Sequence, residues 1–255
     1  MAEFVKSEIH NGVGLITLDR PKMNALSRAM QDEIAQASRD AVKQGARAIV
    51  IFGGIHFAAG ADVKEMAEWT HNDAIEHTPG LQDAFTAVAK LPVPTIAALT
   101  GYALGGGLEL ALACDLRIAG TSAVVGQPEI LLGVIPGAGG TQRLSRLIGA
   151  SRAKDLIFTG RFVKADEALA LGLVNEVVAD DQVLERAVEL AGILAKGPRR
   201  ALAAAKEAID LGIDKPLDQG LLIERANFAS LFGTPDQVHG MTSFVEQGPG
   251  KAKFE

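Results

Sequence analysis

The chain has 255 residues, 48% of them hydrophobic and 22% charged, the balance of an ordinary globular protein long enough to bury a sizeable core. A net charge of -6 offers no basic surface for nucleic acid, and no apolar run approaches the roughly 20 residues of a bilayer-spanning helix. The single cysteine, Cys114, can close no internal disulfide, and Met1 to Lys6 has neither an apolar signal core nor an arginine-rich transit pattern, which together predict a soluble, cytoplasmic protein.

Phe4 to Leu18 predicts a hairpin that turns at Asn11-Gly12. After Asp19-Arg20-Pro21 the spacing predicts a helix from Arg28 to Gln44, capped by Ser27, with Met30, Ile34, Ala37 and Ala41 on one face. Ala48 to Phe52 is a continuous apolar run before Gly53-Gly54, the pattern of a strand covered on both faces. A loop from Phe57 to Asp62 and a helical stretch before Lys90 follow, then a second buried strand, Thr95 to Thr100. Gly101 to Gly107 reads as a break, Leu108 to Ala113 as a helix and Leu116 to Ala119 as a third strand.

From about Ser151 the pattern turns mostly helical. Leu184, Ala187, Val188 and Ala191 form one amphipathic face, an alanine-rich helix runs from Ala201 to Leu211 behind Pro198, and Thr234-Pro235 opens a helix carrying Val238, Met241 and Val245. Alternating strands and helices predict an α/β core, residues 1–195, followed by a helical part, residues 196–255. No internal repeat stands out in the sequence.

Several chemistries are absent as patterns. There is no G-x-x-x-x-G-K-[ST] phosphate loop, no G-x-S-x-G elbow and no H-E-x-x-H or other metal-ligand spacing among the five histidines. The 28 glycines are instead concentrated in short stretches. In Gly101 to Leu110 a triple glycine precedes a helix, which exposes unpaired N–H groups and points the positive end of the helix dipole at a ligand or a developing oxyanion. Glu109 lies in the first turn of that helix. The plainer alternative is tight helix–strand packing, with Glu109 complementing the dipole. Gly126-Gln127-Pro128-Glu129 supplies a second carboxylate, which taken alone is as well explained by a surface or capping role. Ala58 to Asp62 is a small-residue loop that could offer another backbone donor, or simply end in a helix cap at Asp62.

These three segments, in this order and spacing, resemble the crotonase (enoyl-CoA hydratase/isomerase) superfamily. Gly101 to Gly140, with Gly-Gln-Pro-Glu-Ile-Leu-Leu-Gly and Ile-Pro-Gly-Ala-Gly-Gly-Thr-Gln-Arg-Leu, is most similar to its enoyl-CoA hydratases. Arg20 to Leu26 and Gly240 to Phe244 carry the likeness over nearly the whole chain. The resemblance implies a spiral of ββα turns with a helical C-terminal trimerisation region, assembled as a homotrimer or a dimer of trimers. It also implies addition of water to a 2-enoyl-CoA in β-oxidation or related acyl-CoA catabolism. Coenzyme A then enters as part of the substrate, with no separate cofactor and no metal.

By motif position the resemblance assigns backbone donors to Ala61 and Gly106, activation of water chiefly to Glu109 and delivery of the C2 proton chiefly to Glu129. Substrate binding falls to Met23, Ala59, Ala61, Asp62, Val63, Lys64, Gly106 and Gly137. The segment from Glu65 to Leu91, with Met66 and Trp69, is a candidate lining for the acyl chain. Near its end the chain departs from the family pattern: Gly248-Pro249-Gly250 replaces a more basic stretch and His239 stands where an acidic residue is common, so the resemblance assigns no coenzyme A contact to Lys251 or Lys253. Two alternatives stand beside the hydratase. A 3,2-enoyl-CoA isomerase on the same scaffold can work with one acid/base, which two glutamates disfavour. An RNA-binding relative would want a basic helix face, whereas Arg28 to Gln44 mixes Asp32, Glu33 and Asp40 with Arg39 and Lys43.

Overall fold

The computed structural model describes residues 2–254. The hairpin forms as β1 (Val5–His10) and β2 (Val13–Leu18), with Asn11 and Gly12 both at positive φ in the turn. Ser27 caps α1 (Arg28–Lys43) by accepting from the Met30 N–H. The buried face of α1 is Met30, Gln31, Ile34, Ala35, Ser38 and Ala41, so the expected Ala37 falls at its half-buried edge. At 3.6 residues per turn Ser38 lies nearer the middle of that stripe, and a small hydroxyl is tolerated there.

Next come β3 (Ala48–Phe52), α2 (Val63–Met66), α3 (His71–Ala89), β4 (Thr95–Leu99), β5 (Tyr102–Leu104), α4 (Gly106–Ala113), β6 (Leu116–Gly120) and β7 (Val124–Gly126). A 3-10 turn, Pro128–Leu132, leads to α5 (Gly140–Ile148), α6 (Ala150–Thr159), β8 (Phe162–Lys164), α7 (Ala165–Ala170), β9 (Glu176–Val178) and α8 (Val183–Ala195). The C-terminal part is α9 (Arg199–Gly212), α10 (Leu217–Ser230) and α11 (Pro235–Gln247), the last capped by Thr234.

One expectation needs correcting and one completing. Gly101 to Gly107 is not a plain break, because β5 lies within it and α4 already starts at Gly106. The stretch beyond Ser151 is mostly helical, as expected, but the expectation left out the two short strands β8 and β9 that interrupt it. Strands this short show no periodicity, and only their pairing with distant segments defines them.

A six-stranded sheet has the order β1-β2-β3-β4-β6-β9, parallel except for the first hairpin, and a smaller sheet has the order β5-β7-β8. Each buried strand of the large sheet is followed by a segment of the small one. β4 leads into β5, β6 into β7, and β3 into Ala58, which bridges Ala103 of β5. A helix then returns the chain. The result is a coil of ββα turns, a repeat of backbone path that the sequence does not betray because each turn packs against different neighbours.

Alternation along the strands divides the core in two. Ile16, Ile49, Ile51, Ala97, Leu99 and Ala119 face inward with α1, α3 and α4, while Val13, Ala48, Val50, Ile96, Ala98 and Ile118 face α8. Both faces are dry, and each fully buried Ile, Leu or Val contributes roughly 1.5–3 kcal/mol. On α8 the sheet-facing residues are Val183, Ala187, Ala191 and Ala195, whereas the expected Val188 points to solvent. The small alanines let the helix axis approach the sheet closely. Beyond α8 the helices are attached by few polar links, chiefly Lys206 Nζ donating to Asp115 Oδ2 at 2.9 Å and Arg47 Nη2 donating to the Gly197 carbonyl at 2.8 Å. Among the described residues no helix is long and apolar enough to cross a membrane.

Candidate active site

The site grows out of the crossing between the first two turns of the coil. The Ala58 N–H donates to the Tyr102 carbonyl and the Leu104 N–H to the Ala58 carbonyl, so the loop after β3 runs as a strand beside β5. On its other side the Leu26 N–H donates to the Gly60 carbonyl and the Asp62 N–H to the Leu26 carbonyl. Between these bonds, the Ala61 N–H has no acceptor among the described residues. Gly106 opens α4, and its N–H is likewise free of an acceptor, as the first turn of a helix requires.

The two residues lie close together: a methyl group placed on Gly106 would be 3.4 Å from Ala61 N. Two glycines make this approach possible. A methyl group on Gly107 would sit 2.1 Å from the Ala58 carbonyl oxygen, and Gly105 holds φ at +52° to swing the chain from β5 into α4. The arrangement is a pair of backbone donors at the positive end of a helix, suited to a carbonyl oxygen that gains negative charge.

Glu109 follows in the first turn of α4 and is almost wholly buried, 3% exposed. One of its oxygens, Oε1, accepts from the Ala138 N–H at 2.8 Å and the Gly140 N–H at 2.7 Å. Burial raises its pKa, while the two N–H donors and the nearby Arg143 charge pull the other way. Glu129, at the start of the 3-10 turn, is pushed up to about 7, chiefly by burial, with the Glu109 carboxylate adding to the rise. It lies beside the backbone donors, since a methyl group on Gly105 would be 3.0 Å from Glu129 Oε1. Two carboxyls with raised pKa values, near enough for the charge of Glu109 to act on Glu129, therefore lie close to a pair of unpaired N–H groups. That combination can polarise a carbonyl and move protons at the adjacent carbons.

The other expected residues fall around this centre in two groups. Met23 and Ala59 are joined directly, the Ala59 N–H donating to the Met23 carbonyl at 2.9 Å. Asn24 anchors that loop through its buried amide, which donates to the carbonyls of Gly53, His56 and Phe57. Asp62 caps α2 and also accepts from Arg20 Nη2 at 2.7 Å, a bond that holds its carboxyl below the usual range. The capping and binding readings of Asp62 are thus compatible. Val63 and Lys64 are the exposed first turn of α2. Gly137 sits on the opposite wall, next to the Glu109 loop, where its carbonyl accepts from Gln82 Nε2 of α3 at 3.0 Å. Met66, Trp69 and Leu81 line a narrow space behind Ala61 of about 10 Å³, room for roughly one water.

Two contributors escaped sequence reasoning. Gln127 is fully buried, and with its amide turned to donate, it reaches Glu129 Oε1 at 2.9 Å and Oε2 at 3.1 Å. Such a donor opposes the rise of the Glu129 pKa. Arg143 of α5 approaches from the far side of the Glu109 loop. A buried glutamine in the Gly-Gln-Pro-Glu motif was the available signal for the first, and for the second there was none, since an arginine in an amphipathic helix reads as solvated surface.

A coil of ββα turns whose first two crossings supply paired backbone donors, and whose second and third supply paired carboxyls, defines an acid–base site for carbonyl substrates. The chain belongs to the enoyl-CoA hydratase/isomerase family, whose model matches residues 8–255. It is 48% identical over 241 residues to a probable enoyl-CoA hydratase of Mycobacterium leprae, covering 92% of each chain. It is 46% identical to a probable mitochondrial enoyl-CoA hydratase of Dictyostelium discoideum, covering 92% of this chain and 85% of that one. Among solved structures, an enoyl-CoA hydratase subunit of Geobacillus kaustophilus superposes with a TM-score of 0.94 at 43% identity, covering 99% and 98% of the two chains.

Proposed function

We propose that this protein is an enoyl-CoA hydratase, which adds water reversibly across the C2–C3 double bond of a 2-trans-enoyl-CoA to give the 3-hydroxyacyl-CoA. The observation that supports the reading is the closeness of the unpaired Ala61 and Gly106 N–H groups to each other and to two carboxyls with raised pKa values. The relatives named enoyl-CoA hydratase supply the substrate class.

In this reading the thioester carbonyl accepts from both N–H groups, so C3 becomes electrophilic and the enolate-like charge is stabilised as it forms. Loss of one such donor commonly costs a hundredfold or more. Glu109, held by two backbone donors, takes a proton from the water whose oxygen bonds to C3. Glu129, protonated up to about pH 7, gives its proton to C2. One proton leaves the water and one arrives at C2, so the pair ends with the same number of protons. The two groups titrate as a coupled unit. The chemistry asks for no redox or metal group, and coenzyme A is carried in by the substrate. Met23, Ala59, Asp62, Val63, Lys64 and Gly137 then form the substrate-binding rim. Residues 1–195 act as the catalytic unit and residues 196–255 as an assembly unit for a homotrimer or a dimer of trimers, working in cytoplasmic acyl-CoA catabolism.

The test uses crotonyl-CoA in water enriched in oxygen-18. The hydratase reading expects label at C3 of 3-hydroxybutyryl-CoA, and it expects Glu109→Gln and Glu129→Gln each to lower kcat by about a hundredfold or more. The losses should be far from additive in the double variant. An isomerase would shift a 3-enoyl double bond without fixing labelled oxygen, and near-wild-type hydration by either single variant would sink the two-carboxylate mechanism.

A further inference from the structure

Glu109 owes its place to a loop outside its own helix. Both N–H groups that grip Glu109 Oε1 belong to the segment that leads from the 3-10 turn into α5, Ala138 just before the helix and Gly140 at its first position. A glycine-rich loop of this kind has no intrinsic reason to hold one conformation. Arg143 supplies the reason. Its Nη1 donates to the Ala138 carbonyl at 2.9 Å, closing the loop on itself from the side opposite Glu109. Its Nη2 donates to Thr86 Oγ1 at 3.1 Å, which ties the loop to the last turn of α3. The loop wraps the guanidinium so closely that a methyl group on Gly139 would lie 2.2 Å from Nη1. A second tie from α3, Gln82 Nε2 to the Gly137 carbonyl, lies one turn away.

We infer that Arg143 is a positioning residue for the hydration reaction: braced against Thr86 of α3, it clamps the Ala138–Gly140 loop so that the loop's two N–H groups fix Glu109 as an ionised base. The inference rests on the hydratase reading for its catalytic consequence but not for its geometry. The charged and titratable groups facing Glu109 are few. Arg143 approaches from α5 and Glu129 from the 3-10 turn, α3 presents only the neutral Gln82 and Thr86, and burial pushes the Cys114 thiol at the end of α4 up to about 12, leaving it neutral. Among the described residues Arg143 is therefore the one cation acting on this carboxyl, and its charge favours the ionised form.

The sign follows. Removing the cation raises the Glu109 pKa, so the acid limb of the kcat/KM–pH profile moves to higher pH. Arg143→Met should shift that limb upward by about one unit and lower kcat on the order of tenfold. Arg143→Lys keeps the charge but cannot span Ala138 and Thr86, so it should lose several-fold in kcat with its limb near the wild-type position. Thr86→Val should lose less, in the same direction. The Glu109 carboxyl can also be titrated by carbon-13 NMR in the wild type and in Arg143→Met, and an upward shift is expected whether or not crotonyl-CoA is hydrated. A wild type that hydrates no enoyl thioester, with the NMR shift present, would overturn the function and keep the clamp. A folded Arg143→Met with wild-type kcat, limb and carboxyl titration would overturn the clamp. If that variant fails to fold, normal kcat in both Arg143→Lys and Thr86→Val would do the same.

Discussion

Glu129 illustrates how a single residue trades stability for chemistry. Its pKa is raised from an ordinary 4.5 to about 7 in the folded protein, so the folded state binds a proton more tightly than the unfolded one. The stability this brings is fully present below pH 4.5 and is lost as pH rises through about 7. Glu129→Gln has no charge to bury and keeps it at every pH. Its melting temperature relative to wild type should therefore climb between about pH 5 and about pH 8, with no gain in the acid range, even though kcat collapses. A difference independent of pH would mean that burial does not set the Glu129 pKa. At this scale the sequence was legible only in part. Glu109 and Glu129 carry no local mark that separates a catalytic carboxyl from a surface one, and only their motif setting singles them out as candidates. Arg143 acts through Thr86 and Glu109, remote in sequence, which no spacing rule reaches, whereas Gln127 lies only two residues from the Glu129 it serves and is marked by its motif alone.

At the scale of elements, the fit of α4 against the Ala58–Ala61 strip is the contact on which the site depends. The Gly107→Ala methyl group would meet the Ala58 carbonyl oxygen at 2.1 Å, and since that oxygen already accepts from Leu104, backbone must move. The variant should keep its overall circular dichroism, lose roughly 1–3 kcal/mol of stability and lose far more in kcat than in KM, because the displaced strip carries the Ala61 N–H. Equal losses in both would show that the two donors are not aligned by this contact. In the proposed reading the acyl side is lined by α2, α3 and the turn between them, where Met66, Trp69 and Leu81 leave room for about one water. Trp69→Ala should raise the ratio of kcat/KM for decenoyl-CoA to that for crotonyl-CoA by about tenfold, read from loss of the conjugated-thioester absorbance; an unchanged ratio would place the chain end elsewhere. Elements with a strong period or a clear cap, such as the first hairpin, α1 behind Ser27 and the strand Ala48–Phe52, were legible in the sequence. β5, β8 and β9 were not, because three residues gain strand character only from partners far along the chain.

On the scale of the whole molecule, the C-terminal helices expose what the core hides. Val238, Met241 and Val245, the apolar face expected of α11, are 53%, 48% and 84% exposed, and Phe228 and Phe232 of the α10 region are exposed beside them. Apolar surface of this extent is what an assembly between copies would cover. Val238→Asp with Val245→Asp should convert the assembled protein to smaller species in sedimentation velocity while leaving its helix content intact; a wild type that sediments as a monomer would count against the assembly unit. The coil itself carries one more consequence. Ala61, Gly106 and Glu129 each lie two or three residues past a paired segment of the small sheet, at Ala58, β5 and β7 in turn. Neighbouring segments of a sheet are about 4.8 Å apart whatever side chains they carry. The hydrogen-bond ladder therefore works as a gauge that sets the lateral offsets of the three reacting positions, and its graduations are backbone, not side chain. Exchanging Tyr102 for another residue leaves the gauge intact, whereas inserting two residues between Tyr102 and Gly105 would advance one mark by about 6.6 Å and part the donors. For this fold, segment length is the quantity on which the chemistry is calibrated.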